Sequence, residues 1–242
     1  MPRMDTEQNT PAPSQDADAA PAEQQPAEQP AAPKPKPNPI KVVLASASPR
    51  RRQLLHDAGV SFIVRPSDID EQLDRDAADT LEEAAQKLAE QKAGAVVQEL
   101  LAEDTRGWYM VIGADTIVVC DEEVFGKPRN LDDAKRMLRR LSGRTHQVMT
   151  SVSVWMLMVR NEQDVSVGYH NFTETTDVVF RELTDEEIAD YLRKGESFDK
   201  AGAYAIQGAG ADLVDHIDGA LDNVIGLPVE RLFKEFPYLR PA

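Results

Sequence analysis

A single carboxylate stands at the centre of an apolar run, Val111-Ile112-Gly113-Ala114-Asp115-Thr116-Ile117-Val118-Val119. Short runs rich in valine and isoleucine indicate buried strands, and an ionised aspartate inside such a strand is costly unless a metal, a hydrogen bond or a cation compensates it. Asp115 is therefore a candidate for chemistry. The alternative, from this run alone, is that Asp115 merely ends one strand and turns the chain, as aspartates in turns commonly do.

A second candidate lies where an apolar run, residues 40–45, meets a predicted helix. Ser48 is a suitable N-cap and Pro49 suits the first helical turn, which a glycine, Gly59, ends. Free backbone N–H groups at a helix N-terminus, hydroxyls and forked guanidinium groups together bind phosphate. The alternative is a basic first turn that only faces water. The hydroxyls and guanidinium groups of this junction belong to Ser46, Ser48, Arg50 and Arg51.

Two further stretches upstream of Asp115 carry charges in suggestive places. The acidic stretch from Ser67 to Glu71 follows a predicted strand and is either a surface loop or a site for a divalent ion, since Mg²⁺ prefers a few carboxylate oxygens. The residues Thr80-Leu81-Glu82-Glu83 form a capping box, which predicts a long helix to about Ala102. Lys92 projects from the apolar face of that helix. Either its aliphatic stem packs in the core and its ammonium extends to solvent at the edge of the buried face, or the ammonium contacts an anion held inside the protein.

The second half of the chain is predicted to continue the sheet and to add two more polar groups. Lys127 stands between a glycine and a proline, which presents one ammonium on a rigid loop. Two β-prone runs, 146–158 and 165–180, are predicted to form a hairpin, and flanking helices begin at Asn130 and Thr184. The segment 199–210 is rich in glycine and alanine and contains Gln207, whose amide offers a donor and an acceptor to a base edge. The alternative is a tight crossing of the chain with no ligand.

Composition separates a tail from a foldable domain. Residues 1–39 contain no Val, Ile, Leu, Phe, Tyr or Trp, and they hold ten of the sixteen prolines, so they are predicted to be a disordered tail before a domain at 40–242. The formal net charge of −15 argues against nucleic acid as a partner. No targeting peptide or membrane span is evident, so a soluble cytoplasmic protein is expected. The single cysteine, Cys120, is predicted to be a buried thiol at a strand end.

Four stretches together, 44–51, 111–119, 126–128 and 203–208, resemble the Maf family of nucleoside triphosphate pyrophosphatases over roughly residues 40 to 240. The Ile206-Gln207-Gly208 segment is similar to the branch that acts on dTTP and UTP. One departure is Ala220-Leu221, where the family more often has Ser-Tyr, which affects fine contacts near the pocket. The resemblance implies an α/β fold of the Maf/ITPase-like kind: an elongated mixed β-sheet with flanking helices and a cleft between two lobes.

The resemblance also implies roles for individual residues. Asp115 would accept the proton of the attacking water as the bond between the α and β phosphates breaks. A divalent cation, Mg²⁺ or Mn²⁺, would bind near Glu71 and Asp115. Substrate choice is tied to Arg50, Thr116 and Gln207. The groups expected to hold the phosphates are Ser46, Ser48, Arg50, Arg51, Lys92 and Lys127.

A rival interpretation belongs to another class of function. Members of the resembled family have been associated with septum formation, so the chain would instead be a nucleotide-sensing regulator of cell division with little turnover. An aspartate inside an apolar strand beside an acidic loop favours the enzyme. The expected partner is a small nucleoside triphosphate, with no nucleic acid and no membrane, and the family resemblance allows a homodimer.

Overall fold

The long strand at residues 107–120 is the element around which the sheet is built. The computed structural model describes residues 40–69, 78–103 and 106–241. The helices and strands in these ranges are, in chain order, β1 Lys41–Leu44, α1 Pro49–Asp57, β2 Phe62–Val64, α2 Leu81–Ala102, β3 Gly107–Cys120, β4 Glu123–Phe125, α3 Leu131–Leu141, β5 Thr145–Asn161, β6 Asp164–Phe180, α4 Asp185–Arg193, β7 Val214–Asp218, α5 Leu221–Ile225 and α6 Val229–Glu235. Short 3₁₀ turns lie at Ala201–Ala203, Gly208–Leu213 and Pro237–Leu239.

The sheet of the described residues is mixed, as the sequence predicts. Its seven strands run in the order β2-β1-β3-β5-β6-β7, and β4 pairs with β3 outside this path. Strand β1 is parallel to both β2 and β3, whereas the pairs β3–β5, β5–β6 and β6–β7 are antiparallel. Helices flank this sheet. The fold is therefore an α/β fold built on a mixed sheet.

One edge of β3 is left open at its centre. Strand β5 pairs along one edge of β3 from Gly107 to Val119. On the other edge β1 pairs with residues 109–112 and the antiparallel β4 pairs with residues 118–120. Residues 113–117 between them have no strand partner on that edge among the described residues. Asp115 and Thr116 lie in this gap, which forms the cleft between the two lobes.

The hydrophobic core is divided between the two lobes in the same way. Near β1 one cluster lies on each face of the sheet. Val42 and Leu44 pack on the face that α1 and α6 cover, and Val43 and Ala45 pack on the face that α2 covers. Beyond the gap, another cluster joins the end of β3 to α3 and α4 and includes Phe180. Because β3 and β5 contribute residues to all three clusters, the clusters share one sheet.

Helix α2 lies very close to β3 at a glycine. A Cβ atom added at Gly113 would lie 2.4 Å from the carbonyl oxygen of Ala89 and 2.8 Å from the backbone nitrogen of Ala93. Such distances are sterically forbidden, so only glycine permits this approach. On the helix side the contact is made by Ala89 and Ala93, whose small side chains also allow a close approach. The helix is thereby brought within side-chain reach of the strand that carries Asp115.

Several predicted boundaries are confirmed and one cap differs. Ser48 accepts from the N–H of Arg51 as the N-cap of α1, and β5 and β6 form the predicted hairpin. Thr184 and Glu187 make a complete capping box. At α2 only half of the predicted box forms, because the carboxylate of Glu83 accepts from the N–H of Asp79.

Other predictions meet the structure to different extents. Cys120 is a buried thiol at the end of β3, as expected. In the described ranges, the search for a helix long and apolar enough to span a bilayer finds none. The prediction of a disordered tail at residues 1–39 and the prediction of a metal ligand at Glu71 both fall outside the described residues.

Candidate active site

A cavity of about 600 Å³ opens over the gap in the edge of β3. Its walls come from the β1–α1 junction, the middle of α2, the centre of β3, the loop after β4 and the segment that follows α4. The structure brings together the predicted site residues that it describes. They are Ser46, Ser48, Arg50, Arg51, Lys92, Asp115, Thr116, Lys127 and Gln207.

The innermost polar contact of the cavity joins Lys92 to Asp115. The Nζ atom of Lys92 donates to Oδ1 of Asp115 at 2.8 Å, and the two side chains are only 4% and 14% exposed. The cost of burying the carboxylate within an apolar strand is thus offset by a cation from α2. The buried ammonium of Lys92 therefore contacts a carboxylate of the protein, a partner that the sequence analysis did not name. Its contact with phosphate stays a prediction.

Arg51 fastens the helix N-terminus to the strand. Its Nε donates to the carbonyl of Gly226 at 2.7 Å, and one terminal nitrogen donates to the carbonyl of Ala114 at 2.9 Å and to Oγ of Ser46 at 3.2 Å. The other terminal nitrogen donates to Oγ1 of Thr116 at 3.0 Å. These bonds make Arg51 a positioning residue for the strand–helix junction, beside the phosphate contact that the sequence predicts for it.

The hydroxyl of Thr116 continues this network across the sheet. It lies 3.0 Å from Oγ1 of Thr150 on β5, which in turn donates to the carbonyl of Asn223 at 3.0 Å. Thr150 and Asn223 are fully buried. The orientation of Thr116 next to Asp115 is therefore set by bonds from two sides. A side chain held this way can contribute to substrate choice by shape, the role that the resemblance ties to it.

Arg50 is held across the cleft by a residue that sequence reasoning did not single out. One terminal nitrogen of Arg50 lies 3.2 Å from Oδ2 of Asp199, and Nζ of Lys200 lies 2.5 Å from Oδ1 of the same carboxylate. Burial alone would raise the pKa of Asp199, but the neighbouring ammonium and guanidinium lower it below its usual value. The signal in the sequence was the charged pair Asp199-Lys200 that begins the glycine- and alanine-rich segment 199–210.

The loops that present Lys127 and Gln207 are joined by a backbone bond. The N–H of Gly202 donates to the carbonyl of Gly126 at 3.1 Å. Lys127 follows Gly126 on the same wall, and both Lys127 and Gln207 are exposed within the cavity. One wall of the cavity therefore carries a cation and an amide at a fixed spacing.

The charges in the cavity oppose the charge of the whole chain. Among the described residues, five cations, Arg50, Arg51, Lys92, Lys127 and Lys200, line it with two carboxylates, Asp115 and Asp199, although the formal net charge of the chain is −15. A positive cavity in an acidic protein favours a small, highly charged anion over a nucleic acid, which needs a broad basic face.

The carboxylates of the cavity also determine which kind of metal site is possible. The described residues contain no group of three or more His, Cys, Asp or Glu side chains placed to hold an ion, and one oxygen of Asp115 is engaged by Lys92. Mg²⁺ commonly takes one or two protein carboxylates together with substrate phosphates and water. The donor set around Asp115 therefore fits a cation bound jointly with a polyphosphate, and does not fit a metal cage made by protein alone.

Comparisons with known proteins agree with this geometry. The family model described as Maf-like protein matches residues 41–237. A dTTP/UTP pyrophosphatase of Citrifermentans bemidjiense is 46% identical over 188 residues, 78% of this chain and 90% of that protein. Proteins of the same name from Bacillus thuringiensis subsp. konkukian and Vibrio parahaemolyticus serotype O3:K6 are 42% and 44% identical, each over 81% of this chain and over 93% and 97% of their own.

A solved structure of a nucleoside-triphosphatase, a dITP/XTP pyrophosphatase from Mycobacterium abscessus, is 10% identical and aligns over 82% of this chain and 94% of that chain, with a TM-score of 0.35.

Proposed function

The chain belongs to the family of Maf-like proteins, and from this premise we propose that it hydrolyses nucleoside triphosphates, with dTTP and UTP preferred, to the monophosphate and diphosphate. The relatives matched over most of their length carry the name dTTP/UTP pyrophosphatase. The observation that carries the proposal is the pairing of Asp115 with Lys92 inside a cavity lined by five cations.

Asp115 is the proton acceptor in this proposal. Water attacks a phosphorus atom of the α–β anhydride while the carboxylate of Asp115 takes its proton, and the bond between the bridging oxygen and that phosphorus breaks. The two products are the nucleoside monophosphate and inorganic diphosphate, that is, pyrophosphate. Lys92 offsets the charge of the carboxylate and orients it from α2. A fixed acceptor next to a fixed phosphate site supplies most of the catalysis by position.

The remaining cations hold the triphosphate. The N-terminus of α1 with Ser46 and Ser48 offers hydroxyls and backbone N–H groups, and Arg50 and Lys127 offer charges from opposite sides of the cleft. Binding of the triphosphate by Arg50 would exchange its contact with one carboxylate, Asp199, for a polyanion that can accept charge-assisted bonds from several oxygens. Arg51 keeps the junction in register.

A divalent cation, Mg²⁺ or Mn²⁺, completes the proposed site. Asp115 and Glu71 would hold it, and when bound it would neutralise charge on the phosphates. The proposal places the enzyme in the cytoplasm, where a lone buried thiol such as Cys120 stays reduced. It also includes a homodimer. The outer edge of β6 before Asp177, which no described strand covers, supports that assembly because such an edge can pair with a second copy.

Gln207 is proposed to read the base. A pyrimidine with a 4-oxo group and an N3–H presents an acceptor beside a donor, and one side-chain amide can satisfy both. Cytosine presents a donor at position 4 and an unprotonated N3, so the amide would have to flip. An unpaired buried polar group costs about 1 to 3 kcal/mol, or roughly 5- to 150-fold in kcat/KM. We therefore expect CTP and the purine triphosphates to be poorer substrates than dTTP and UTP.

The test is product release from a panel of nucleoside triphosphates with Mg²⁺ or Mn²⁺. The proposal predicts that inorganic diphosphate and nucleoside monophosphate are released in equal amounts, and that the rate is highest with dTTP and UTP. Release of inorganic phosphate and a nucleoside diphosphate instead would contradict the proposed bond cleavage. Tight nucleotide binding without turnover in the same assay would contradict an enzyme and favour the nucleotide-sensing alternative.

A further inference from the structure

A buried hydrogen bond connects the segment that carries Gln207 to the central sheet. The ring nitrogen Nε2 of His146 lies 2.8 Å from the phenol oxygen of Tyr204. His146 is 1% exposed and Tyr204 is 5% exposed. Tyr204 lies in the wall of the cavity, three positions before Gln207 in the chain. Nothing in the proposed chemistry uses His146.

The rings around this bond leave little room for Tyr204 to move. Phe180 of β6 packs edge-on against both partners, with ring centroids 4.9 Å from His146 and 4.8 Å from Tyr204. Burial raises the pKa of the Tyr204 phenol well above its usual value, so the phenol keeps its proton and can donate. Burial lowers the pKa of His146 to about 4, so the imidazole is neutral and Nε2 can accept.

The backbone beside Tyr204 is in a conformation that needs support. Ala203 has φ of +61°, a left-handed value that an alanine adopts only at a cost. A Cβ atom at Gly210 would lie 1.9 Å from the carbonyl oxygen of Ala205, so the loop is folded tightly on itself. Such a backbone persists only where its surroundings determine it fully. The N–H of Ala205 donates to the phenol oxygen of Tyr191 at 3.1 Å, which gives the segment a second anchor on α4.

The two anchors have different consequences for the site. Tyr191 belongs to α4 and fixes the segment to a helix of the outer lobe. His146 belongs to β5, which is paired with β3 up to Val119 and Gln147. The hydrogen bond between His146 and Tyr204 is thus a buried side-chain link between the segment of Gln207 and the sheet that carries Asp115, beside the backbone bond between Gly202 and Gly126.

We propose that His146 and Tyr204 are positioning residues for base selection: their hydrogen bond fixes the segment 203–207 against the sheet, so that Gln207 meets the pyrimidine at the correct distance from Asp115. This inference rests on the proposed function. When the bond is lost, the segment shifts or fluctuates, the amide pairs less well with uracil, and the advantage of UTP over CTP shrinks. Turnover changes little because Asp115 and Lys92 do not move.

The experiment compares four single variants with the wild type. Tyr204→Phe removes only the hydroxyl, and His146→Leu removes the partner. His146→Gln retains a side-chain amide that can replace Nε2 in the bond. Tyr109→Phe is the matched control, because Tyr109 is 4% exposed and its hydroxyl bonds to Lys41 and the Arg106 carbonyl in a different core cluster. For each protein, kcat and KM are measured for UTP and CTP.

The expected result is a lower UTP-to-CTP ratio of kcat/KM, by at least about threefold, in Tyr204→Phe and His146→Leu, carried by KM for UTP, since small misplacements of a binding group weaken binding severalfold. His146→Gln and Tyr109→Phe should keep the wild-type ratio. Unchanged ratios in both Tyr204→Phe and His146→Leu would overturn the inference, and so would an equal loss in Tyr109→Phe. If His146→Leu does not fold, Tyr204→Phe alone decides, because it conserves shape.

Amide hydrogen exchange gives a second readout that does not depend on activity. Exchange in residues 205–210 should be faster in Tyr204→Phe than in the wild type or in Tyr109→Phe. If the wild type hydrolyses no triphosphate, the proposed function fails while the exchange result still reports on the anchor. If the wild type prefers UTP but exchange and selectivity are both unaffected by Tyr204→Phe, only the anchor is wrong.

Discussion

Nζ of Lys92 and Oδ1 of Asp115 lie 2.8 Å apart, in an ion pair that connects the buried face of α2 to the unpaired gap of β3. This contact explains how an apolar strand tolerates a carboxylate at its centre. It also places a cation beside the proposed proton acceptor before any substrate arrives. The same pair therefore stabilises the fold and, in the proposed mechanism, serves the chemistry, and substitution can separate the two contributions.

Replacing Lys92 by Met is expected to destabilise the protein. Met preserves the packed stem, but the carboxylate of Asp115 is left buried without its cation, and breaking such a pair typically costs about 3 to 5 kcal/mol. Urea unfolding at neutral pH measures the change in the free energy of unfolding. The double variant Lys92→Met/Asp115→Asn, which removes both charges, should recover most of the loss. A single variant as stable as the wild type would contradict the account of this pair.

Replacing Gln207 by Ala is expected to narrow the difference between UTP and CTP. The substitution removes the side-chain amide that pairs with the 4-oxo group and N3–H of uracil. Therefore kcat/KM for UTP should fall about 5-fold or more, while kcat/KM for CTP changes less. Gln163→Ala in the β5–β6 turn is a matched control far along the hairpin from the cavity. An intact UTP-to-CTP ratio in an active Gln207→Ala protein would show that the base is read elsewhere.

The stability of the fold is expected to depend on pH through His146. Burial lowers the pKa of His146 from the ordinary 6.5 to about 4. Between those two values the unfolded chain binds a proton that the folded chain does not. Stability should therefore be constant above about pH 6.5 and fall as the pH drops toward 4, by up to about 1.4 kcal/mol per pH unit for this group.

Urea unfolding of the wild type and His146→Gln at neutral pH and near pH 5 checks this expectation. The variant lacks the titrating imidazole, so its stability should fall less over the same interval. The exposed carboxylates titrate alike in both proteins and cancel in the comparison. Equal losses in the two proteins would mean that His146 does not carry the effect.

Deleting residues 1–39 is expected to leave kcat, KM and the melting temperature nearly unchanged. The segment has no large apolar side chain other than methionine, so it can contribute almost no buried apolar area. Thermal unfolding and turnover of the truncated chain measure this directly. A several-fold loss of turnover, or failure to fold, would show that the segment is a working part of the enzyme.

The local parts of the site could be predicted from the sequence. The strand around Asp115, the Ser48 cap with Pro49 after it, and the β5–β6 hairpin follow from short-range patterns of hydrophobicity and turn chemistry. The apolar pattern of α2 showed that Lys92 projects from its buried face, and left open what its ammonium contacts. These features depend on residues a few positions apart, which is the range over which periodicity and capping act.

The long-range contacts could not be predicted in this way. The partner of Lys92 depends on how closely α2 approaches β3, which the steric limit at Gly113 decides. The pair of Arg50 and Asp199 joins residues 149 positions apart. The bond of His146 to Tyr204 forms only after the chain has folded. No pattern within a single element encodes these pairings, because each is fixed by the order and register of the whole sheet.

The most direct test of the central claim is the rate of diphosphate release from UTP by the wild type and by Asp115→Asn, measured side by side with the fold of each protein checked by its unfolding transition. Asparagine is nearly isosteric with aspartate but accepts no proton at neutral pH. The account predicts a folded variant whose kcat is lower by roughly 10² to 10⁴. A folded Asp115→Asn protein that releases diphosphate at the wild-type rate would contradict it.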